Sequence, residues 1–288
     1  MSKNKLKKLA FRALGVLPDK LYLRIRYRQR IGFWPNLGCP RRFSEKLQWL
    51  KLNDRQEVMT KLADKLQFKE IIKIRFGPEY VIPVLALGTS SRELTEDSLP
   101  SMPFVLKTNH DSGGVFVVNC PESANISMLK GWLESRLFEN AYLANREWEY
   151  KNIVPRWFIE PLLSDCSDSA RLNDFKIHCF NGRPRLVQTI FDRDLKAKEN
   201  WFDMSWKSLS FSYFSDERAN IPMPVCLDEM HTIAGLLSEP FPYARVDFYV
   251  IGDRPVLGEI TFRPYGGFMT WSPDNTDFEL GDLLRLET

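Results

Sequence analysis

Three features of the sequence predict an α+β fold. Apolar residues recur at helical spacing near the N-terminus, at Leu6, Leu9, Ala10, Ala13, Leu14 and Leu17. Alternating apolar runs flank Asn181-Gly182 and again Gly252-Asp253, the pattern of antiparallel hairpins. Helices and hairpins occupy separate stretches, giving a helical N-terminal segment, a small α+β lobe and a larger sheet with helices. At 288 residues the chain can build several lobes around shared cores.

The elements follow in order. Pro18 ends the first helix, and the basic segment over Leu21–Arg30 fits either a helix or a strand. Ser44 reads as the N-cap of a helix running to Leu52, and a second helix is expected over Thr60–Ile74, stopping before Gly77-Pro78. Strands are expected at Tyr80–Leu87, Phe104–Lys107, Gly113–Val118 and Arg156–Glu160, with a helix at Asn125–Phe138. A hairpin turns at Asn181-Gly182, a helix covers Asp228–Leu237, and a last hairpin spans Arg245–Phe262. The expected divisions are a basic helical extension over 1–60, an N-terminal lobe over 61–102, a small central lobe over 103–157 and a C-terminal lobe over 158–288.

Composition narrows the function classes. Net charge is +3, but residues 1–30 hold ten Lys/Arg against one Asp, a local +9, leaving −6 for the remainder. A basic amphipathic end suits an anionic membrane surface, or it packs its apolar stripe on its own domain. Nucleic acid is not expected, since no binding motif accompanies the charge. No apolar run approaches the roughly 20 residues that span a bilayer. The five cysteines (Cys39, Cys120, Cys166, Cys179, Cys226) and three histidines are scattered, so neither zinc nor a disulfide framework is expected, and a cytoplasmic location is.

The chemistry-bearing residues begin at the last hairpin. A three-residue loop over Gly252, Asp253 and Arg254 would set Asp247 opposite Glu259 and Arg245 opposite Thr261. Opposed carboxylates roughly 5 Å apart repel, and a magnesium ion between them would relieve this. From spacing alone, two solvated acids on a surface hairpin read equally well. Lys107 precedes a turn containing Ser112, Gly113 and Gly114, whose backbone amides could cradle phosphate. Lys65 by itself is one helical lysine among many. Glu160 and Leu162 end a strand where a linker could meet an adenine edge. Asp174 and Lys176 share a strand face, as a local ion pair or as site residues, and Arg193 follows the next strand as a candidate anion clamp. Gly266 and Gly267 could offer amides as an oxyanion hole just beyond Glu259.

Taken together, the segments Phe43–Asp54, Leu62–Lys65, Leu99-Pro100, Phe104–His110, Asp174–Gly182, Arg245–Tyr249 and Gly258–Phe262 resemble the ATP-grasp superfamily. The resemblance is to the ATP-grasp proteins of surface-polysaccharide and teichuronopeptide gene clusters, sometimes labelled glycosyltransferases. It implies ATP between two α+β lobes, with Lys65 and Lys107 on the phosphates and residues near Glu160 at adenine. It further implies Asp247 and Glu259 on magnesium, and Arg245 on the transferred phosphoryl group. Thr261 stands where many relatives carry an Asn as third metal ligand.

The expected activity is that of an ATP- and magnesium-dependent ligase joining a carboxylate to an amine through an acyl phosphate. The expected substrates are a uronic-acid carboxylate on a sugar or glycan and an amino acid or other amine. A sugar or small-molecule kinase is one alternative. A non-catalytic glycan- or membrane-binding component of a polysaccharide assembly complex is another. In either case residues 1–30 could hold the cytoplasmic protein peripherally on the inner face of the cell membrane.

Overall fold

The computed structural model describes residues 17–111, 113–163, 174–191, 198–215 and 217–287. The expected helix over Leu6–Leu17 lies almost wholly outside them. Helix α1 (Asp19–Ile31) settles the ambiguous basic segment as helix: Tyr22, Leu23, Arg26 and Tyr27 form its buried stripe. It ends where Gly32 adopts a left-handed φ of 100° and donates to Arg28 O.

Helix α2 (Phe43–Asn53) starts two residues earlier than expected. Ser44 is not its cap: its hydroxyl donates inward to Asp277 at 2.6 Å, while Glu45 reaches back to the amides of Arg41 and Arg42. The single helix expected over Thr60–Ile74 is two helices, α3 (Glu57–Ala63) and α4 (Lys65–Arg75). Asp64 breaks them apart because its carboxylate caps α4, accepting from Leu66 N at 2.9 Å and Gln67 N at 3.3 Å. The expected boundary at residue 60 therefore falls inside α3.

The small lobe is a four-stranded antiparallel sheet in the order β1-β4-β2-β3. Its strands are β1 (Ala86–Gly88), β2 (Phe104–Thr108), β3 (Val115–Val118) and β4 (Trp157–Pro161). β1 is the short remnant of the longer strand expected over Tyr80–Leu87. Helix α5 (Ile126–Leu137), capped by Asn125, covers one face and shares a core with Phe104, Leu106, Trp157 and Ile159. The short helix α6 (Ala141–Asn145) follows it. Alternation along β2 and β4 then turns Val105, Lys107, Phe158 and Glu160 to the opposite face.

The larger sheet has six antiparallel strands in the order β10-β9-β5-β6-β7-β8. They are β5 (Asp174–Phe180), β6 (Arg183–Phe191), β7 (Lys198–Asp203), β8 (Ser208–Leu209), β9 (Tyr243–Ile251) and β10 (Arg254–Thr261). One face is largely apolar, with Thr189 and Asn200 its buried polar residues toward one edge. Phe175, Ile177, Val187, Val246, Phe248 and Ile260 form a single core with α3, α4 and α7 (Leu227–Ser238). Each such fully buried side chain contributes about 1.5–3 kcal/mol. The other face is apolar only at one end. There Phe180, Trp201 and Tyr243 pack with α2 and α8 (Thr276–Leu283). The segment expected as an N-terminal extension thus ends in a helix that belongs to the core of the large lobe.

The β5–β6 turn has both Asn181 (φ 48°) and Gly182 (φ 73°) left-handed, as an Asn-Gly hairpin requires. The β9–β10 hairpin departs from expectation in an instructive way. Its loop has two residues rather than three, because Arg254 already pairs with Ile251. A β-bulge between Leu257 and Glu259 adds the missing residue, so Glu259 still faces Asp247 and Thr261 still faces Arg245.

Candidate active site

The polar stretch of the large sheet is fixed by register. Lys176 on β5 pairs with Asp247 on β9, which pairs with Glu259 on β10; His178 pairs with Arg245, which pairs with Thr261. Arg245 grips Asp247 with two parallel bonds of 2.6 and 2.7 Å, and the Lys176 ammonium closes on the same carboxylate. Burial opposes ionisation of Asp247, but the two cations outweigh it and hold its carboxyl at about 2. The Arg245 guanidinium is also 3.2 Å from Thr261 Oγ and 3.6 Å from Glu259.

Glu259 is set differently. Its side chain is 34% exposed, its nearest polar partner among the described residues is Thr261 Oγ at 3.3 Å, and Lys65 lies 3.8 Å away. The sequence argument that a metal is needed to relieve repulsion between these acids is therefore corrected. Arg245 and Lys176 neutralise Asp247, and Lys65 and Arg245 flank Glu259.

The break at Asp64 makes Lys65 the first residue of α4 and turns it into the cleft, 12% exposed, where it donates to the Asp111 carbonyl. It is not the solvated lysine that its surroundings in sequence suggest. One turn on, Lys69 is buried and bonds both Glu160 and the Ile82 carbonyl. Lys107 reaches the second oxygen of Glu160 at 2.6 Å. Glu160 thus bridges two lysines, and their charges hold its carboxyl below the usual range against the upward push of burial. Lys69 escaped sequence reading because its signal, a lysine four residues after Lys65, becomes informative only once Asp64 is recognised as a cap.

The turn after Lys107 is cross-linked rather than open. Thr108 donates to Asp111 at 2.6 Å and its amide to the Gly114 carbonyl at 3.0 Å. A Cβ on Gly114 would overlap both Thr108 and Asp111, and Gly113 takes a φ of 83°. Ser112 and Arg193 lie outside the described residues. Asp174 opens β5, buried on the same face as Lys176.

Two expected backbone contributions are corrected. The Leu162 amide donates to Pro103 O at 2.9 Å and is not free for an adenine edge. The Gly266 amide donates to Arg263 O at 2.9 Å within a 3₁₀ turn (Pro264–Gly267), so it makes no oxyanion hole. The carbonyls of this turn are the groups in use. Gly266 O accepts from Lys51 at 2.5 Å and from Gln48 at 3.1 Å, and Gly267 O accepts from Gln48 at 2.8 Å. Gly267 packs too closely on Leu47 and Gln48 to admit a side chain.

Behind that turn, buried Lys51 is pushed down to about 8 and buried Glu147 up to about 7, each chiefly by burial. His178, also unsuspected from sequence, is pressed down to about 3 by burial and by Arg245, and so is a neutral imidazole. It bonds Tyr243 at 2.7 Å and Gln188 at 3.3 Å, and Gln188 bonds Glu199 at 2.6 Å.

A four-stranded and a six-stranded antiparallel sheet, with lysines on one wall of the site and an Arg-Asp-Glu cluster on the other, define an ATP-grasp protein. The model of the TupA-like ATP-grasp family matches residues 45–285, and the chain belongs to that family.

Among solved structures, the chain is similar to D-alanine–D-alanine ligase from Bacillus anthracis complexed with ATP. Identity is 17% and the TM-score 0.41, over 70% of this chain and 54% of that one. The Helicobacter pylori D-alanine–D-alanine ligase gives 17% identity and a TM-score of 0.43, over 84% and 69%. The ATP-grasp ligase PsnB, complexed with a phosphomimetic variant of its minimal precursor, Mg and ADP, gives 11% and 0.41, over 83% and 64%. The chain spans little more than half the length of the Bacillus anthracis enzyme. No curated protein matches it.

Proposed function

We propose that the protein is an ATP- and magnesium-dependent ligase that joins a carboxylate to an amine through an acyl phosphate. The acceptor carboxylate is a uronic acid on a sugar or glycan, the amine is an amino acid or similar compound, and the setting is assembly of a surface polysaccharide. The observation that carries this reading is Glu259. It is an under-coordinated carboxylate in a cleft otherwise lined by Lys65, Lys107, Lys176 and Arg245.

The donor set fits magnesium. This ion is commonly held by one or two carboxylates together with substrate phosphates. Among the described residues no group of three or more His, Cys, Asp or Glu side chains forms a metal cage, and that mode of binding does not call for one. Glu259 would hold the ion, with the Thr261 hydroxyl beside it, while Asp247 stays engaged by Arg245 and Lys176. Magnesium would supply charge neutralisation for the phosphates of ATP.

The chain's own side chains account for the remaining chemistry. Lys65 and Lys107 bind phosphate oxygens, exchanging their present partners, the Asp111 carbonyl and Glu160, for stronger anionic ones. Arg245 is anchored by Asp247 and aims its remaining donor capacity at charge that develops on the moving phosphoryl group. Lys176 anchors Asp247 from the other side and so fixes the position of Arg245. No protein nucleophile is required, since positioning and charge neutralisation suffice for phosphoryl transfer.

Mass spectrometry of the surface-polysaccharide repeat from cells with and without the protein tests this reading. Loss of an amide-linked amine is expected. Loss of a phosphate ester instead would identify a kinase, and an unchanged repeat would contradict the polysaccharide role.

A further inference from the structure

We propose that the outer face of α1 docks the protein on an anionic phospholipid bilayer. The inner face of the helix is fully committed to its own domain. Tyr22 donates to Ala144 O at 2.6 Å, Tyr27 bonds Ser44 at 2.8 Å, and Asp19 pairs with Arg55 at 2.7 Å and Arg146 at 3.1 Å. What faces outward is a row of exposed cations at four-residue intervals, Lys20, Arg24 and Arg28.

Apolar groups lie among these charges. Leu21 is 46% exposed on the same face, and Trp34 is 57% exposed just beyond the helix. The left-handed Gly32 turns the chain so that the Trp34 ring comes back under Arg24, 5.8 Å from guanidinium to centroid. Cations interleaved with an exposed Trp and Leu match the boundary between headgroups and acyl chains, where indole and leucine gain by leaving water. This apolar component favours a bilayer over a soluble polyanion, which would engage the cations alone.

Orientation follows from charge. α1 itself carries five Lys/Arg against Asp19, a net +4, so an anionic surface attracts the molecule through this helix. The bonds from α1 reach Ala144 and Arg146, next to the Asn145 carbonyl that Lys51 holds together with Gly266. A docked α1 is therefore rigidly linked to the wall of the cleft, and the cleft takes a fixed attitude to the membrane. The inference rests on α1 and Trp34 alone and is independent of the ligase chemistry.

The test is co-sedimentation of the full chain with large vesicles. Vesicles of phosphatidylcholine containing phosphatidylglycerol should bind it, less so as salt rises, and pure phosphatidylcholine should not. Each surface cation contributes about fivefold to partitioning, so Arg24→Ala with Arg28→Ala should lower it about 25-fold. Trp34→Ala should lower it severalfold at constant salt. All variants should keep the wild-type melting temperature and magnesium-ATP affinity. Equal binding to neutral vesicles, or an Arg24/Arg28 double variant that sediments like wild type, would overturn the proposal. So would an unaltered Trp34→Ala variant whose vesicle binding a soluble polyanion abolishes.

Discussion

The two walls of the cleft are built on the same ionic motif and differ by one acid. On the small sheet one buried carboxylate, Glu160, holds two lysines, Lys69 and Lys107. On the large sheet the same relation recurs, with Arg245 and Lys176 on one buried carboxylate, Asp247, but here a second acid stands beside it. Glu259, the register partner of Asp247, has no bond shorter than 3.3 Å among the described residues. Two acids that look equivalent in the sequence are thus unequal in the molecule. Asp247 is part of the architecture, and Glu259 is free to exchange partners.

The largest effect of breaking this contrast should come from Asp247→Asn. It strands Arg245 and Lys176 as buried cations and should cost about 3–5 kcal/mol of stability in denaturant unfolding. Glu160→Gln should cost less, on the order of 2–3 kcal/mol, because Lys69 keeps the Ile82 carbonyl and Lys107 is nearer solvent. Glu259→Gln should change stability by less than about 1 kcal/mol, since its ion pairs are long and its side chain is one-third exposed. Equal losses in the Asp247 and Glu259 variants would erase the distinction.

Acid titration sharpens the same comparison. The carboxyl of Asp247 is depressed to about 2, so its contribution is complete above the ordinary carboxylate range. That contribution is lost as pH falls from about 4 toward 2. Glu147 has the opposite sign. Raised to about 7, it binds its proton more tightly in the folded protein, so stability declines as pH rises from the ordinary carboxylate range to 7. Glu147→Gln should flatten that decline, read as the difference in melting temperature between pH 5 and pH 8.

Much of this arrangement was legible in the sequence, and its gaps have physical causes. Strand alternation and two turn signals placed both hairpins, and the Asp247–Glu259 pairing came out right although its loop did not. The supposed extra loop residue is the bulge at Gly258, which alternation cannot distinguish from a longer turn. The split at Asp64 was missed because a capping Asp inside a continuous helical pattern looks like any polar residue. With that split went the inward turn of Lys65 and the role of Lys69. The role of Gly266 was misread because sequence indicates a flexible backbone but not which of its groups face Lys51 and Gln48. The electrical state of the acids was hidden for a similar reason. Lys176 enters from a different hairpin, and only the sheet order β9-β5 brings it to Asp247.

The measurement that bears most directly on the account is calorimetric titration of ATP into the wild type and Glu259→Gln, with and without magnesium, alongside thermal unfolding. The account predicts that wild-type binding requires magnesium. It predicts that Glu259→Gln loses at least about tenfold in magnesium-ATP affinity, about 1.4 kcal/mol, with its melting temperature nearly unchanged. Wild-type affinity in Glu259→Gln, or ATP binding indifferent to magnesium, would contradict the assignment of Glu259 as the metal-binding carboxylate.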